Sequence, residues 1–281
     1  MTASRPIEAR KLAPPIGLLL VLAVASLFPA NEQPAGLRLA SADRTRVEQM
    51  RNLVADLRSQ PLVLVGFDPD LGTYPEIRAT VRALLEDLVS HGARLAIVSF
   101  TPEGRALAAA EIDRLARRAA TGGETAAELL DIGFVAGAEA GMVRAVSTIV
   151  PSAATGPMAD SIRAGGGGIA AFKLVVIVSG ADLGARSWIE QVGSRLPDLP
   201  MAAVAPTFLE PELAPYLRSG QLQALLATLR EGVAYAEEVP ASGPLRDRAI
   251  TALPMLLGML VALLWLAAAG LQRATGRGRL A

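Results

Sequence analysis

Five short apolar runs recur along the middle of the chain, each followed by a polar turn and then an amphipathic stretch. They are Leu62–Phe67 (LVLVGF), Arg94–Ser99 (RLAIVS), Leu130–Ala136 (LDIGFVA, the weakest), Phe172–Ser179 (FKLVVIVS) and Met201–Ala205 (MAAVA). A strand with one wet face alternates apolar and polar residues, whereas a strand covered on both faces reads as a continuous apolar run. Such runs separated by amphipathic helices imply a parallel sheet with helices on both sides. Right-handed crossovers leave few ways to connect it. The expected fold is α/β: a doubly wound, about five-stranded, Rossmann-like sheet over residues 61–238.

The intervening segments carry helical spacing. Ala40–Arg58 places Val47, Met50, Leu53, Val54 and Leu57 on one stripe, and reads as a juxtamembrane helix within residues 31–60. A second helix opens at Thr73 with Pro75 in its first turn, repeats through Ile77, Val81, Leu84, Leu85 and Leu88, and stops at Gly92. Thr101-Pro102-Glu103 opens a third, running to about Ala120; a fourth starts near Glu139, and another carries Trp188 and Val192. Two closing helices are expected at about 209–218 and 220–236. The stretch Thr148–Gly168, with Pro151, Gly156, Pro157 and Gly165 to Gly168, is too long for an ordinary loop. It reads as a flexible connector or as a mobile cover over a site.

Composition explains the ends. Hydrophobic residues make up 52% and mean hydropathy is +0.39, an excess that collects in two uncharged stretches. Leu12–Ala30 is about the length of a bilayer crossing, with Pro14, Pro15 and Pro29 at its ends. It is a signal anchor, or a cleaved signal peptide with Ala23-Val24-Ala25 as its small-residue site. Ile250–Leu271 is the stronger span, bounded by Arg248 and Arg273. The first tail nets +2 and the last +3; with a total charge of zero, −5 is left between them. Positive flanks stay inside, although Arg38, Arg44, Arg46 and Arg51 soften the contrast. The expected map is a cytoplasmic tail (1–11), transmembrane segment (12–30), juxtamembrane helix (31–60), extracytoplasmic domain (61–238), linker (239–249), transmembrane helix (250–271) and cytoplasmic tail (272–281). Gly258 and Ala262 form a small-xxx-small pair, a place for the chain to meet itself or another membrane protein beside its lipid partner.

Several chemistries are excluded. Absence of cysteine removes disulfides, thiol catalysis and thiolate metal sites. His91 stands alone at a helix end, where the dipole suits it, so histidine metal clusters are excluded. Zero net charge and few aromatics argue against nucleic acid. There is no G-x-G-x-x-G after the first strand and no G-K-[ST], which removes dinucleotide and P-loop readings. Any metal would have to sit on carboxylates, favouring Mg²⁺; otherwise no cofactor is expected.

Ligands in doubly wound sheets bind beyond the carboxyl ends of the strands. The residues falling there are Asp68 and Asp70; Ser99, Thr101 and Glu103; Gly137; Ser179, Gly180 and Asp182; then Thr207 and Glu210. The strand ending Asp68-Pro69-Asp70, with Ser99 closing the next strand, resembles the first two motifs of haloacid-dehalogenase-type phosphatases. That resemblance implies Asp68 as nucleophile, Asp70 as general acid, Ser99 as phosphate holder, and Mg²⁺. The likeness ends near Thr101: Lys173 lies at the wrong end of its strand, Asp182 stands without an acidic neighbour, and Asp-Pro-Asp-Leu-Gly-Thr departs from Asp-x-Asp-Gly-Thr. The alternative is that both aspartates cap the turn and helix N-terminus.

A wider resemblance rests on Asp131-Ile132-Gly133-Phe134, Gly137, Val176-Ile177-Val178-Ser179, Trp188-Ile189-Glu190-Gln191-Val192 and Tyr216-Leu217-Arg218-Ser219-Gly220-Gln221-Leu222. In these the chain is similar to a group of bacterial membrane proteins holding such a domain between an N-terminal hydrophobic segment and a C-terminal anchor. The resemblance implies no activity. The expected function is an extracytoplasmic binding or scaffold module of the cell envelope, leaning away from an enzyme. The alternative is a divergent Mg²⁺-dependent phosphatase using Asp68 and Asp70.

Overall fold

The apolar runs form the strands of one parallel sheet. In the computed structural model, residues 41–122, 128–180 and 183–239 are described, together with the isolated positions 17, 258, 260 and 261. The chain divides into two units, one of Leu39–Gly243 and one of Met1–Arg38 with Pro244–Ala281; the first carries the fold. Its elements are α1 (Ser41–Ala55), β1 (Leu62–Asp68), α2 (Tyr74–Ser90), β2 (Arg94–Ser99), α3 (Pro102–Gly122), β3 (Leu129–Phe134) and α4 (Ala138–Ser147). There follow α5 (Pro157–Ala164), β4 (Leu174–Ser179), α6 (Ala185–Trp188), β5 (Met201–Val204), α7 (Glu210–Ser219), β6 (Ala224–Leu226) and α8 (Leu229–Glu238). Sheet order is β3-β2-β1-β4-β5-β6, with every neighbouring pair parallel. This is the doubly wound order in which the connections diverge between β1 and β4.

Burial follows position in the sheet. All of β4 and β5, and all but the first residue of β1, are buried, while edge strand β3 buries only Ile132. Side chains alternate across the sheet. Val63, Val65 and Phe67 of β1 join the core beneath α1, α2, α3 and α8, whereas Leu64 joins the core beneath α4 to α7. Pro75 sits in the first turn of α2, where a missing N–H costs nothing. Gly92, at φ +76, follows its C-cap.

The sheet has six strands where five were expected. Ala224–Leu226 falls inside the helix expected at 220–236. Gly220, at φ +78, ends α7, and the chain then pairs with β5 in the register Ala202↔Ala224 to Val204↔Leu226. The last helix starts only at Leu229, opened by a capping box between Thr228 and Glu231. Glu231 is fully buried; its second oxygen accepts from the amides of Ala227 and Thr228 at 2.8 and 2.9 Å. A buried carboxylate so engaged fixes the turn from β6 into α8.

Thr148–Gly168 is neither a loose connector nor a cover. It contains α5, opened by Pro157, whose Met158, Ala159 and Ile162 are buried in the second core. The Ile149 amide donates to Gly167 O at 2.9 Å, closing the segment on itself.

Helix α1, expected within the juxtamembrane stretch 31–60, packs into the compact unit. Val47, Met50 and Val54 are buried in the first core. Arg46 pairs with Glu210 at 2.7 Å and Glu231 at 3.1 Å, both in the opening turns of helices that follow strands. Arg51 pairs with Asp87 at 3.0 Å, near the far end of α2. The start of α1 therefore lies at the carboxyl end of the sheet and its finish toward the amino end.

No helix among the described residues is long and apolar enough to cross a membrane. The expected transmembrane stretches, 12–30 and 250–271, lie outside the described residues except at positions 17, 258, 260 and 261. Gly258 is helical and buried; Ala262, its expected partner, is outside.

Candidate functional site

The switch point of the sheet is built around one carboxylate. Asp68 ends β1, pairs in register with Ser179 of β4, and is 2% exposed. Its Oδ1 accepts from the Phe100 amide at 2.6 Å and the Thr101 amide at 3.1 Å. Two hydroxyls also lie close, Ser99 Oγ at 3.0 Å and Thr101 Oγ1 at 3.4 Å. Oδ2 accepts from Trp188 Nε1 at 3.3 Å. One side chain thus ties the ends of β1 and β2 to a helix on the far side of β4. Burial pushes the Asp68 carboxyl up to about 6, against the opposing pull of the Phe100, Ser99, Trp188 and Thr101 donors.

Trp188 fills the space that an open switch point would offer a ligand. It is fully buried, stands edge-on to Phe100 with ring centroids 5.4 Å apart at 77°, and covers the backbone of Gly66. A Cβ on Gly66 would overlap the indole ring, so glycine here is the condition for the indole to reach Asp68. Gly180 approaches just as closely from β4: a Cβ there would run into Asp68 O and the Asp70 amide. The β4 turn is packed onto the β1 turn, and the divergence of the sheet is closed by the protein's own groups.

The other expected residues hold turns and helix starts. Asp70 accepts from the Thr73 amide at 2.8 Å and the Thr73 hydroxyl at 2.7 Å, an Asx-type cap on the approach to α2. Glu103 accepts from the Leu71 amide at 3.1 Å, which brings the starts of α2 and α3 together. Thr101 Oγ1 accepts from Gly104 N at 3.1 Å and caps α3. Ser99 Oγ lies 2.7 Å from Phe67 O and is fully buried. Ser179 Oγ accepts from the Ala185 amide at 3.0 Å, the same service for α6. Gly137 takes φ +106 to open α4. Thr207 donates from its amide and hydroxyl to Glu76 at 2.9 and 2.7 Å, while Glu210 pairs with Arg46. Asp182 lies outside the described residues.

Asp68, Ser99, Thr101, Ser179 and Gly180 are thus drawn together, while Gly137, Thr207 and Glu210 serve other strand ends. The residues missing from the expected set are Trp188 and the Phe100 amide, both on Asp68. An isolated glycine inside an apolar strand signals close approach, and Gly66 is that signal.

Mg²⁺, implied by the phosphatase resemblance, does not fit the described donors. The Asp68 Oδ1 lone pairs are taken by amides and hydroxyls, and both Asp70 oxygens serve Thr73. No group of three or more carboxylate or imidazole side chains able to hold a metal occurs among the described residues. A shallow crevice at the ends of β5 and β6, between Glu76, Thr80, Ala205 and Thr228, spans at most about 160 Å³, open solvent included. A ligand pocket usually needs about 300 Å³ or more.

Fold and strand ends together define a doubly wound α/β protein of Rossmann-like strand order, whose switch point is filled, among the described residues, by side chains of its own. Comparison with protein-family models, with curated proteins and with solved structures finds no match.

Proposed function

We propose that the chain is a membrane-tethered, non-enzymatic α/β module on the outer side of a bacterial cytoplasmic membrane. In this reading it binds a partner or holds an envelope complex together, with both termini in the cytoplasm and spans at 12–30 and 250–271. The observation that carries the non-enzymatic part is the engagement of Asp68, which is buried and occupied at both oxygens by donors of its own chain. A nucleophile must be open to its substrate. The tether rests on the sequence, since a central charge in either span would cost a few kcal/mol and none is present.

A second reading is a divergent phosphatase using Asp68, Asp70 and Mg²⁺. It is favoured by the neighbouring placement of Asp68 and Ser99, 3.0 Å apart at adjacent strand ends. It requires the Asp68 and Asp70 donors to be released.

The expected result is that the full chain sediments with membranes, resists carbonate washing, and is cleaved in the domain by protease added to intact spheroplasts. Detergent-solubilised chain with Mg²⁺ and p-nitrophenyl phosphate should show no turnover above that of Asp68→Asn. Recovery of the full chain from the aqueous fraction without detergent would overturn the tether, and turnover abolished by Asp68→Asn would overturn the non-enzymatic reading.

A further inference from the structure

Within the Leu39–Gly243 unit, the large apolar side chains left in solvent among the described residues are Leu71, Phe134, Phe208 and Leu229, exposed by 61, 46, 55 and 37%. Scattered exposed apolar residues are ordinary. These are not scattered. Leu71 lies in the turn after β1, Phe134 closes β3, Phe208 follows β5 and Leu229 opens the helix after β6. All four stand at the carboxyl end of the sheet, strung from one edge strand to the other. With strands about 4.8 Å apart, the row is about 24 Å long.

The carboxylates at this end are turned onto neighbours: Asp70 onto Thr73, Glu103 onto the Leu71 amide, and Glu76 onto Thr207. Exposed polar residues, among them Glu103, Glu139 and Thr207, stand beside the apolar groups as a rim. The chain also arrives here. The Arg46 pairs with Glu210 and Glu231 place the start of α1 at this end, and residues 31–40 alone separate Ser41 from the apolar stretch ending at Ala30. Ten residues reach about 35 Å at most. Residues 240–249, after α8, have the same reach, more than twice the roughly 15 Å length of that ten-residue helix. A return to the same lipid surface is thus within reach from the amino end of the sheet.

We propose that the carboxyl end of the sheet rests against the lipid headgroup surface, with Phe134, Phe208, Leu71 and Leu229 seated in the interface. This rests on the tether reading above, and adds which end of the domain meets lipid. Aromatic and aliphatic side chains on a polar rim are the groups that partition into that zone.

The chain has no cysteine, so single labels are clean. Full chains carrying Phe134→Cys, Phe208→Cys, Lys173→Cys or Asp198→Cys, the last two exposed near the amino end of the sheet, are labelled with an environment-sensitive fluorophore. They are reconstituted into phosphatidylcholine vesicles holding a minor share of phosphatidylglycerol and a headgroup-nitroxide lipid. Flotation shows whether each chain stays with the vesicles, and circular dichroism that it is folded. The expected result is blue-shifted emission and about twofold or greater quenching at 134 and 208, with neither at 173 or 198. Chains that float with vesicles but show no quenching at 134 and 208, or quenching at 173 and 198 instead, would overturn the contact and leave the tether standing. Blue-shifted emission at 134 and 208 that ignores the nitroxide and tracks protein-to-lipid ratio would place a second copy there, overturning the lipid contact. Chains that do not float would overturn both readings.

Discussion

Trp188→Ala will lower the stability of the α/β unit by about 4 kcal/mol, among the largest single effects this fold allows. Truncating a fully buried aromatic side chain costs about 3–5 kcal/mol through lost transfer energy and an unfilled cavity. Trp188 is fully buried, and its edge-on contact with Phe100 goes with it. The surroundings have little freedom to collapse, because the indole rests on the Gly66 backbone in the most buried part of the sheet. For a unit of this size, about 4 kcal/mol corresponds to a melting shift of roughly 8–16 °C, measurable by circular dichroism of the full chain in detergent. Trp188→Phe keeps a ring but loses the donor to Asp68, and should cost about half as much. A Trp188→Ala chain melting within about 2 °C of the parent would contradict the packing described.

Removing the acceptor that the indole reaches is the second large change. Asp68→Ala leaves the Phe100 amide and Trp188 Nε1 buried without their acceptor, and the part-buried Thr101 amide with only Ser99 Oγ at 3.4 Å. Each such group costs about 1–3 kcal/mol, and because they share one site the costs do not simply add. A loss of about 3 kcal/mol is expected at pH 5, read from denaturant melts. Asp68→Asn keeps the shape and one acceptor oxygen, and should lose less.

This pair also fixes a pH dependence. Burial raises the Asp68 carboxyl from 3.8 to about 6, so between these values the folded chain binds more protons than the unfolded one. The contribution of this group is full below about pH 4 and falls away as pH rises to about 6. The stability gap between parent and Asp68→Asn should therefore move against the parent across that window, by up to about 3 kcal/mol. A gap that stays constant, or that moves toward the parent as pH rises, would contradict the buried setting of Asp68.

The core of the sheet was legible because both faces of β1, β2, β4 and β5 are covered, which forces the uninterrupted apolar runs seen at Leu62–Phe67 and Leu174–Val178. The sixth strand was not. Ala224-Leu225-Leu226 is three residues of good helix formers, and pairing with β5 is a tertiary event that no local pattern announces. Helix α5 was hidden for the opposite reason: Gly156, Pro157 and the glycines after Ala164 read as loop composition, yet they are its two ends, and its buried face is only Met158, Ala159 and Ile162.

The strand-end residues divide in the same way. Asp70 caps a turn three residues ahead, a local bond visible in the spacing of Asp70 and Thr73. Asp68 could be placed at the end of β1, but its partners Phe100 and Trp188 lie 32 and 120 positions away. Whether that carboxylate is free or spent depends on contacts that sequence spacing does not carry. Gly66 was the available hint, since glycine inside a buried strand implies that something comes close to the backbone.

The account stands on the Asp68 carboxylate being locked inside the end of the sheet, and amide hydrogen exchange at Phe100 reads that lock directly. In the full chain, the Phe100 amide should exchange as slowly as the amides of β1 and β4, opening only when the sheet unfolds, and should lose that protection in Asp68→Ala under conditions where β4 keeps it. Exchange of Phe100 within seconds in the parent chain, with β4 still protected, would contradict it.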